Sequence, residues 1–143
     1  VSFFDPVAFS AAVLALLDGV SGLSVYDGEV PKTPPLSTAD GRVLPYVVLY
    51  AGAGTPIRDS LSAASSRFDW GWQITAVGGD RGRCLWAVTQ ADKALLDKRL
   101  TISGWSTSRI TREPGTELRL DEDVEPPRTM APLLYRLVAA PTT

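Results

Sequence analysis

The sequence predicts an α+β fold: a mixed or antiparallel β-sheet, two main helices, and a long loop inside one hairpin. Three observations carry this. Two β-rich runs, residues 45–52 (PYVVLYAG) and 67–78 (RFDWGWQITAVG), read as strands flanking a long Gly/Ala/Ser segment. An apolar run behind Asp5-Pro6 reads as a helix, and a second helical pattern follows Gly78-Gly79-Asp80. Side chains alternate across a sheet, so Phe68, Trp70, Trp72, Ile74 and Ala76 share one face of the second strand. Arg67, Asp69, Gly71, Gln73 and Thr75 share the other. Three large aromatics in a row demand cover, either a helix of the same chain or a neighbouring subunit. Ile74 and Ala76 should continue that core.

The elements follow in order. Asp5 is an acceptor at the N-cap and Pro6 a first-turn proline, so a helix should run to about Asp18 and stop at Gly19. Between Val7 and Leu17 only Ser10 is polar. A helix apolar on every side is buried on every side, either as a central core helix or with one face on the sheet and the other against another subunit, the reading favoured here in a domain with only two good helices. Residues 23–26 form a short strand closed by Asp27-Gly28, and residues 29–44 a proline-rich loop. Tyr46 to Tyr50 is continuously apolar, as in a strand buried on both faces. Residues 51–66 carry only Ile57 and Leu61 as bulky apolar side chains, and a connection this long is expected to order against a partner.

Gly78-Gly79-Asp80 caps the second helix, expected over residues 81–99. Its wheel places Cys84, Leu85, Val88, Ala91, Leu95 and Leu96 on one face. Trp86, Gln90, Lys93 and Asp97 lie opposite, and a tryptophan on a polar face is either an interface anchor or a side chain covered by a neighbouring loop. Residues 101–103 alternate briefly between apolar and polar. Residues 108–112 read as a strand, residues 116–120 as its hairpin partner across Pro114-Gly115, and residues 132–138 as a last strand with Leu133, Tyr135 and Leu137 on one side. Asp121, Glu122, Asp123 and Glu125 form an acidic segment stopped by Pro126-Pro127.

Composition narrows the function. The 143 residues suit one domain, 1–143. An apolar fraction of 45% with 21% charged residues is that of a globular chain. Fourteen basic against sixteen acidic side chains leave no general basic footprint for nucleic acid. One cysteine, Cys84, cannot build an internal disulfide framework and fits a reducing compartment. No apolar run reaches the roughly 18 to 20 residues that span a bilayer, and acidic Asp5 with Pro6 stands where a signal peptide would be basic. Histidine is absent. Ser-His-Asp and Cys-His nucleophile systems are thereby excluded, as are histidine-bearing zinc sites. Gly52 and Gly54 lack the third glycine of a dinucleotide loop, and no phosphate-cradle loop occurs. No cofactor is expected. The acidic segment is the only concentration of carboxylates for acid–base work, and it lacks calcium-loop spacing; a solvated loop is the plainer reading.

The order of motifs carries a resemblance. VYDGEVP (residues 25–31), LPYVVLYAGAG (44–54), the long loop, WQITAVGGD (72–80), an Ala/Trp/Lys/Leu helix, the acidic-proline stretch and LLYRLVAAP (133–141) together resemble tail terminator proteins of siphophages infecting actinobacteria. That resemblance covers most of the chain. It implies a small α+β domain with helices packed on one face of the sheet, no catalysis, and a virion location at the head-proximal end of the tail. It implies a hexameric ring of self-copies that contacts the tail tube protein and a head-completion protein, with DNA passing through the lumen without specific binding and no membrane. The expected interface residues are Val7 and Leu14 of the first helix, Trp86 and Gln90 of the second, and Ile57, Arg58 and Leu61 of the long loop. Glu117, Asp121, Glu122 and Asp123 are expected to line the channel, where carboxylates would not grip phosphates. The alternatives are a head-completion or stopper protein, a tube subunit, or a ligand-binding or carboxylate-based enzyme domain using the aromatic face as a pocket.

Overall fold

The computed structural model describes residues 3–57, 67–115 and 117–142. Helix α1 (Pro6–Asp18) starts where its chemistry dictates. The Asp5 carboxylate accepts the Val7 N–H at 3.0 Å, and Pro6 has no N–H to leave unpaired. The helix closes at Gly19, whose N–H donates to the Leu17 carbonyl. Phe9, Val13 and Leu17, at i, i+4 and i+8, are fully buried. Val7, Ala11 and Ala15 are exposed on the outer side. Within the single chain one stripe is thus buried against the sheet and a second apolar stripe is left open, so the alternative of a core helix covered on every side by its own chain is overturned.

Strand β1 (Ser24–Asp27) pairs parallel with β2 (Tyr46–Ala51), which pairs antiparallel with a second, longer run, Arg67–Gly78. Between them lies β3 (Thr55–Ile57), which pairs back onto the start of that run, β4. The first part of the expected long loop is thus a strand; Arg58 and Leu61 lie outside the described residues. β2 buries Tyr46 to Leu49 on alternating faces, as expected, but Tyr50 and Ala51 emerge into solvent.

Helix α2 (Arg81–Leu95) is capped by Asp80, whose carboxylate accepts the Arg83 N–H at 2.8 Å. Gly78 allows the helix to sit this close to the sheet: a Cβ there would fall 2.5 Å from the Cys84 nitrogen. The helix ends about one turn earlier than expected. Asp97 turns into the left-handed region at φ 62°, and its N–H and the Lys98 carbonyl are taken by Ile110 at 3.1 and 2.8 Å. Cys84, Ala87, Ala91, Ala94 and Leu95 are buried. Leu85, expected on that inner face, is exposed.

The C-terminal part is a meander along one long strand. β5 (Trp105–Thr107), β6 (Thr111–Arg112) and β7 (Arg119–Asp121) pair in turn with successive stretches of β8 (Arg128–Pro141). The expected hairpin between β6 and β7 does not form, because both spend their backbone groups on the same edge of β8. That strand starts earlier and ends later than the sequence predicts. Its other edge pairs with β4 from Phe68↔Ala139 to Gly78↔Thr129. The sheet order is β1-β2-β4-β8-β5.

Both helices cover the same face of the sheet. The main core joins Phe9, Val13 and Leu17 of α1 and Ala87, Ala91 and Leu95 of α2 to Trp70, Trp72, Ile74, Leu133 and Tyr135. The opposite face carries a small cluster, Val43, Tyr46, Val48 and Val77, with Tyr26 and Met130 packed against it. This matches the expected mixed sheet with two helices on one face.

Two outcomes follow for stability, both read by denaturant unfolding. Asp80→Ala should cost about 1 kcal/mol from the lost cap, and Gly78→Ala more, because helix and sheet must separate. Burial raises the Cys84 thiol from 9.0 to about 11. The folded state then resists an ionisation that the unfolded state accepts, so stability should fall as pH rises from 9 to 11, by at most about 1.4 kcal/mol per unit. Cys84→Ala should remove that part of the pH dependence.

Candidate subunit interface

The aromatic face of β4 is not a ligand platform. Phe4 and Phe9 meet at 4.3 Å, Phe9 stands edge-on to Trp70 at 5.7 Å, and Trp70 stacks on Trp72 at 4.5 Å. Trp72 in turn lies over Tyr135 at 5.9 Å. The Trp70 indole N–H donates to the Gly52 carbonyl at 2.8 Å. Trp70 and Trp72 are buried, so the use of this face as a small-ligand pocket is overturned: the first helix, with Tyr135 beside it, has filled the space.

The Tyr135 hydroxyl donates to Asp92 at 2.7 Å, and Asp92 pairs with Arg112 Nε at 3.3 Å. Burial, and then the Asp92 carboxylate, push this phenol well above the usual tyrosine range. It is a neutral hydrogen-bond donor pinning α2 to β8. Arg83 similarly bridges Asp80 at 3.2 Å and Asp40 at 2.9 Å, tying the proline-rich loop to the α2 N-terminus. Backbone donation from Arg42, and then the Arg83 guanidinium, hold the Asp40 carboxyl below its ordinary value. Among the described residues no cluster of three or more His, Cys, Asp or Glu side chains could hold a metal, and no helix is long and apolar enough to cross a membrane.

What remains open is surface. Val7 is 77% exposed and borders a groove with Pro6, Ser10, Ala11, Leu14, Asp27 and Ala53. Leu14, its expected companion, is half-buried and packs against the main core. On α2, Trp86 is 37% exposed and Leu85 stands beside it. Trp86 also packs beside the chain's own Gly22, where a Cβ would lie 3.6 Å from the ring, so a neighbouring loop covers part of it and the rest stays open. Gln90 is half-buried and Ile57 pairs with Arg67 in β3–β4. These residues lie on separate patches of the molecule, on α1, on α2 and on β3.

The acidic positions divide in the same way. Glu117 borders a groove with Arg81, Leu118, Leu120 and Thr129. Asp121 borders a different one with Tyr46, Arg128 and Met130. The Asp121 carboxylate accepts the Asp123 N–H at 3.1 Å, and Glu122 and Asp123 are exposed.

Sequence reasoning missed the uncovered face of the sheet. There Tyr50 and Leu134 are exposed beside Gly71, and Arg136 pairs with Asp69 and, at 2.8 Å, with Glu113. The signal was present in the alternation of β4, whose Arg67, Asp69, Gly71, Gln73 and Thr75 are too polar for a second core.

No family model matches the sequence, and no curated protein matches it. Solved structures do. A chain in the virion of a native gene transfer agent particle superposes with a TM-score of 0.65 over 97% of this chain and 99% of that chain, at 19% identity. A second solved chain aligns more loosely, with a TM-score of 0.48 and 18% identity over 92% of this chain and 91% of that chain. The first likeness establishes a shared fold along nearly the whole length of both chains.

The open α1 stripe has a direct check. Val7→Asp should leave the unfolding midpoint of the isolated chain within about 0.5 kcal/mol of the parent. Phe9→Ala, two residues on, should cost about 3 to 5 kcal/mol.

Proposed function

We propose that this chain is a structural virion protein of a phage-like particle, and specifically a tail terminator. In this reading it caps the head-proximal end of a long non-contractile tail tube, stops polymerisation and forms the joint to a head-completion protein. The observation that carries the reading is the full-length fold likeness to a chain of a gene transfer agent virion, joined to the order of sequence motifs that resembles siphophage tail terminators. The helical surface agrees in part: beside its exposed charges, Arg81 and Lys93, it leaves Val7, Ala11, Leu85 and Trp86 open to solvent.

A ring requires two different patches on each subunit, because head-to-tail contacts close on themselves. The Val7–Ala11 stripe of α1 and the Leu85–Trp86 corner of α2 are two such patches on different elements. We assign them to neighbouring copies in a hexamer, with Ile57, Arg58 and Leu61 reaching the neighbour or the tube. Asp121, Glu122 and Asp123, with Glu117, are assigned to the lumen, where negative charge lets DNA slide.

Particles made without this protein should carry tails of abnormal length that fail to join heads, seen by electron microscopy of lysates. Normal-length, head-joined tails would contradict the assignment. Val7→Asp and Trp86→Ala, supplied in trans, should each restore joining poorly while the purified proteins stay folded.

A further inference from the structure

Among the described residues, the uncovered sheet face holds a buried cation with no carboxylate in ion-pair contact. Arg128, at the start of β8, is only 7% exposed. Its Nη1 donates to the Tyr46 hydroxyl at 3.2 Å and its Nη2 to the Pro126 carbonyl at 3.4 Å, both neutral acceptors. Nε is buried and has no partner. Among the described residues no carboxylate lies within 4.0 Å of it. A guanidinium carries five donors in a planar fork. Three of them are unused here, and a buried charge without its opposite is costly.

Arg128 borders a cavity of about 460 Å³. Val48, Val77, Val124 and Met130 supply apolar wall, and Asp121 is the only other charged side chain on its rim among the described residues. Asp121 is the register partner of Arg128 across β7–β8. Its carboxylate is turned instead to the Asp123 N–H.

We propose that this cavity binds a protein C-terminus ending in an aliphatic residue. The terminal carboxylate would take the free donors on the Arg128 fork, and the last side chain would fill the apolar wall. A chain end places a carboxylate and an aliphatic group two bonds apart, which this pocket asks for together. An internal Asp or Glu brings the charge without the adjoining apolar group. Bidentate pairing of this kind is the strong form of a charge-assisted hydrogen bond. The site stands on its own geometry and does not depend on the tail-terminator reading.

The test uses the purified full chain and heteronuclear NMR titration. The probes are Ac-Ala-Ala-Leu with a free carboxylate, the same peptide amidated, Ac-Ala-Glu-Ala amide, and hexanoate. The free-acid peptide should shift the amides of Val48, Val77 and Met130 and bind at least about tenfold more tightly than the other three. Arg128→Lys, which loses the fork, should abolish that preference. Because a change at a buried arginine can unfold the chain, Asp121→Asn serves as the second variant. It removes rim repulsion and should tighten the free-acid peptide about threefold.

Equal binding of acid and amide, or no binding of either, would overturn the proposal. Hexanoate as tight as the peptide would assign the site to free carboxylates, and the Glu peptide as tight would assign it to an internal acidic side chain; both outcomes overturn the chain-end assignment. Asp121→Asn lowering the unfolding midpoint as far as Arg128→Lys would make Asp121 the counter-ion and also overturn it.

Discussion

The structure depends on one constraint, that the aromatic face of β4 must be dry. Phe68, Trp70 and Trp72 present more apolar surface than one strand can hide, and the chain answers from both ends. Phe4 and Phe9 come from the N-terminus and Tyr135 from the last strand, so the earliest and latest elements meet at the centre. Burying an aromatic ring contributes on the order of 2 to 3 kcal/mol, and the ring-to-ring geometry adds roughly a further 0.5 to 1.5 kcal/mol per good pair. Ring packing fixes where α1 lies, and the position of α1 fixes which of its faces stays outside.

That outside face is the surface on which the proposed ring contact rests. A helix whose apolar residues run all the way round can satisfy only one stripe within a two-layer domain. The remainder, Val7 and Ala11, stays exposed on the outer side of the helix. The same logic applies to α2, where buried alanines let the helix sit close to the sheet and leave the larger Leu85 and Trp86 on the rim. The uncovered sheet face differs in kind. In its Arg136–Asp69–Glu113 set one guanidinium holds two carboxylates, while Arg128 at its far end is in ion-pair contact with none among the described residues.

Much of this was legible in the sequence. Asp5-Pro6 and Asp80 marked both helix starts, because N-caps are local chemistry. The alternation in β4 and the Leu133, Tyr135, Leu137 side of β8 identified the core face, because strand periodicity is also local. The end of α2 was not legible: Asp97 leaves the helix because Ile110 takes its N–H, a contact made from outside the helix. The strands near residues 108–112 and 116–120 were legible, but not their pairing along β8 instead of with each other, because runs as short as Thr111–Arg112 carry no signal for the edge they find. Of the expected interface residues on α1, Val7 could be singled out by being apolar and stands exposed, while Leu14 is half-buried, packing on the core and lining the same groove as Val7. Arg128 escaped notice because a lone arginine before a strand looks like surface until its burial is seen.

If this chain ends a tail tube, its position in a particle reveals it most directly. A small metal-cluster label attached to a cysteine introduced near the C-terminus, in a Cys84→Ala background, would be imaged on purified tails. Density should be confined to one ring, at the end of the tube that meets the head. Label repeated along the tube, or absent from it, would contradict a terminator.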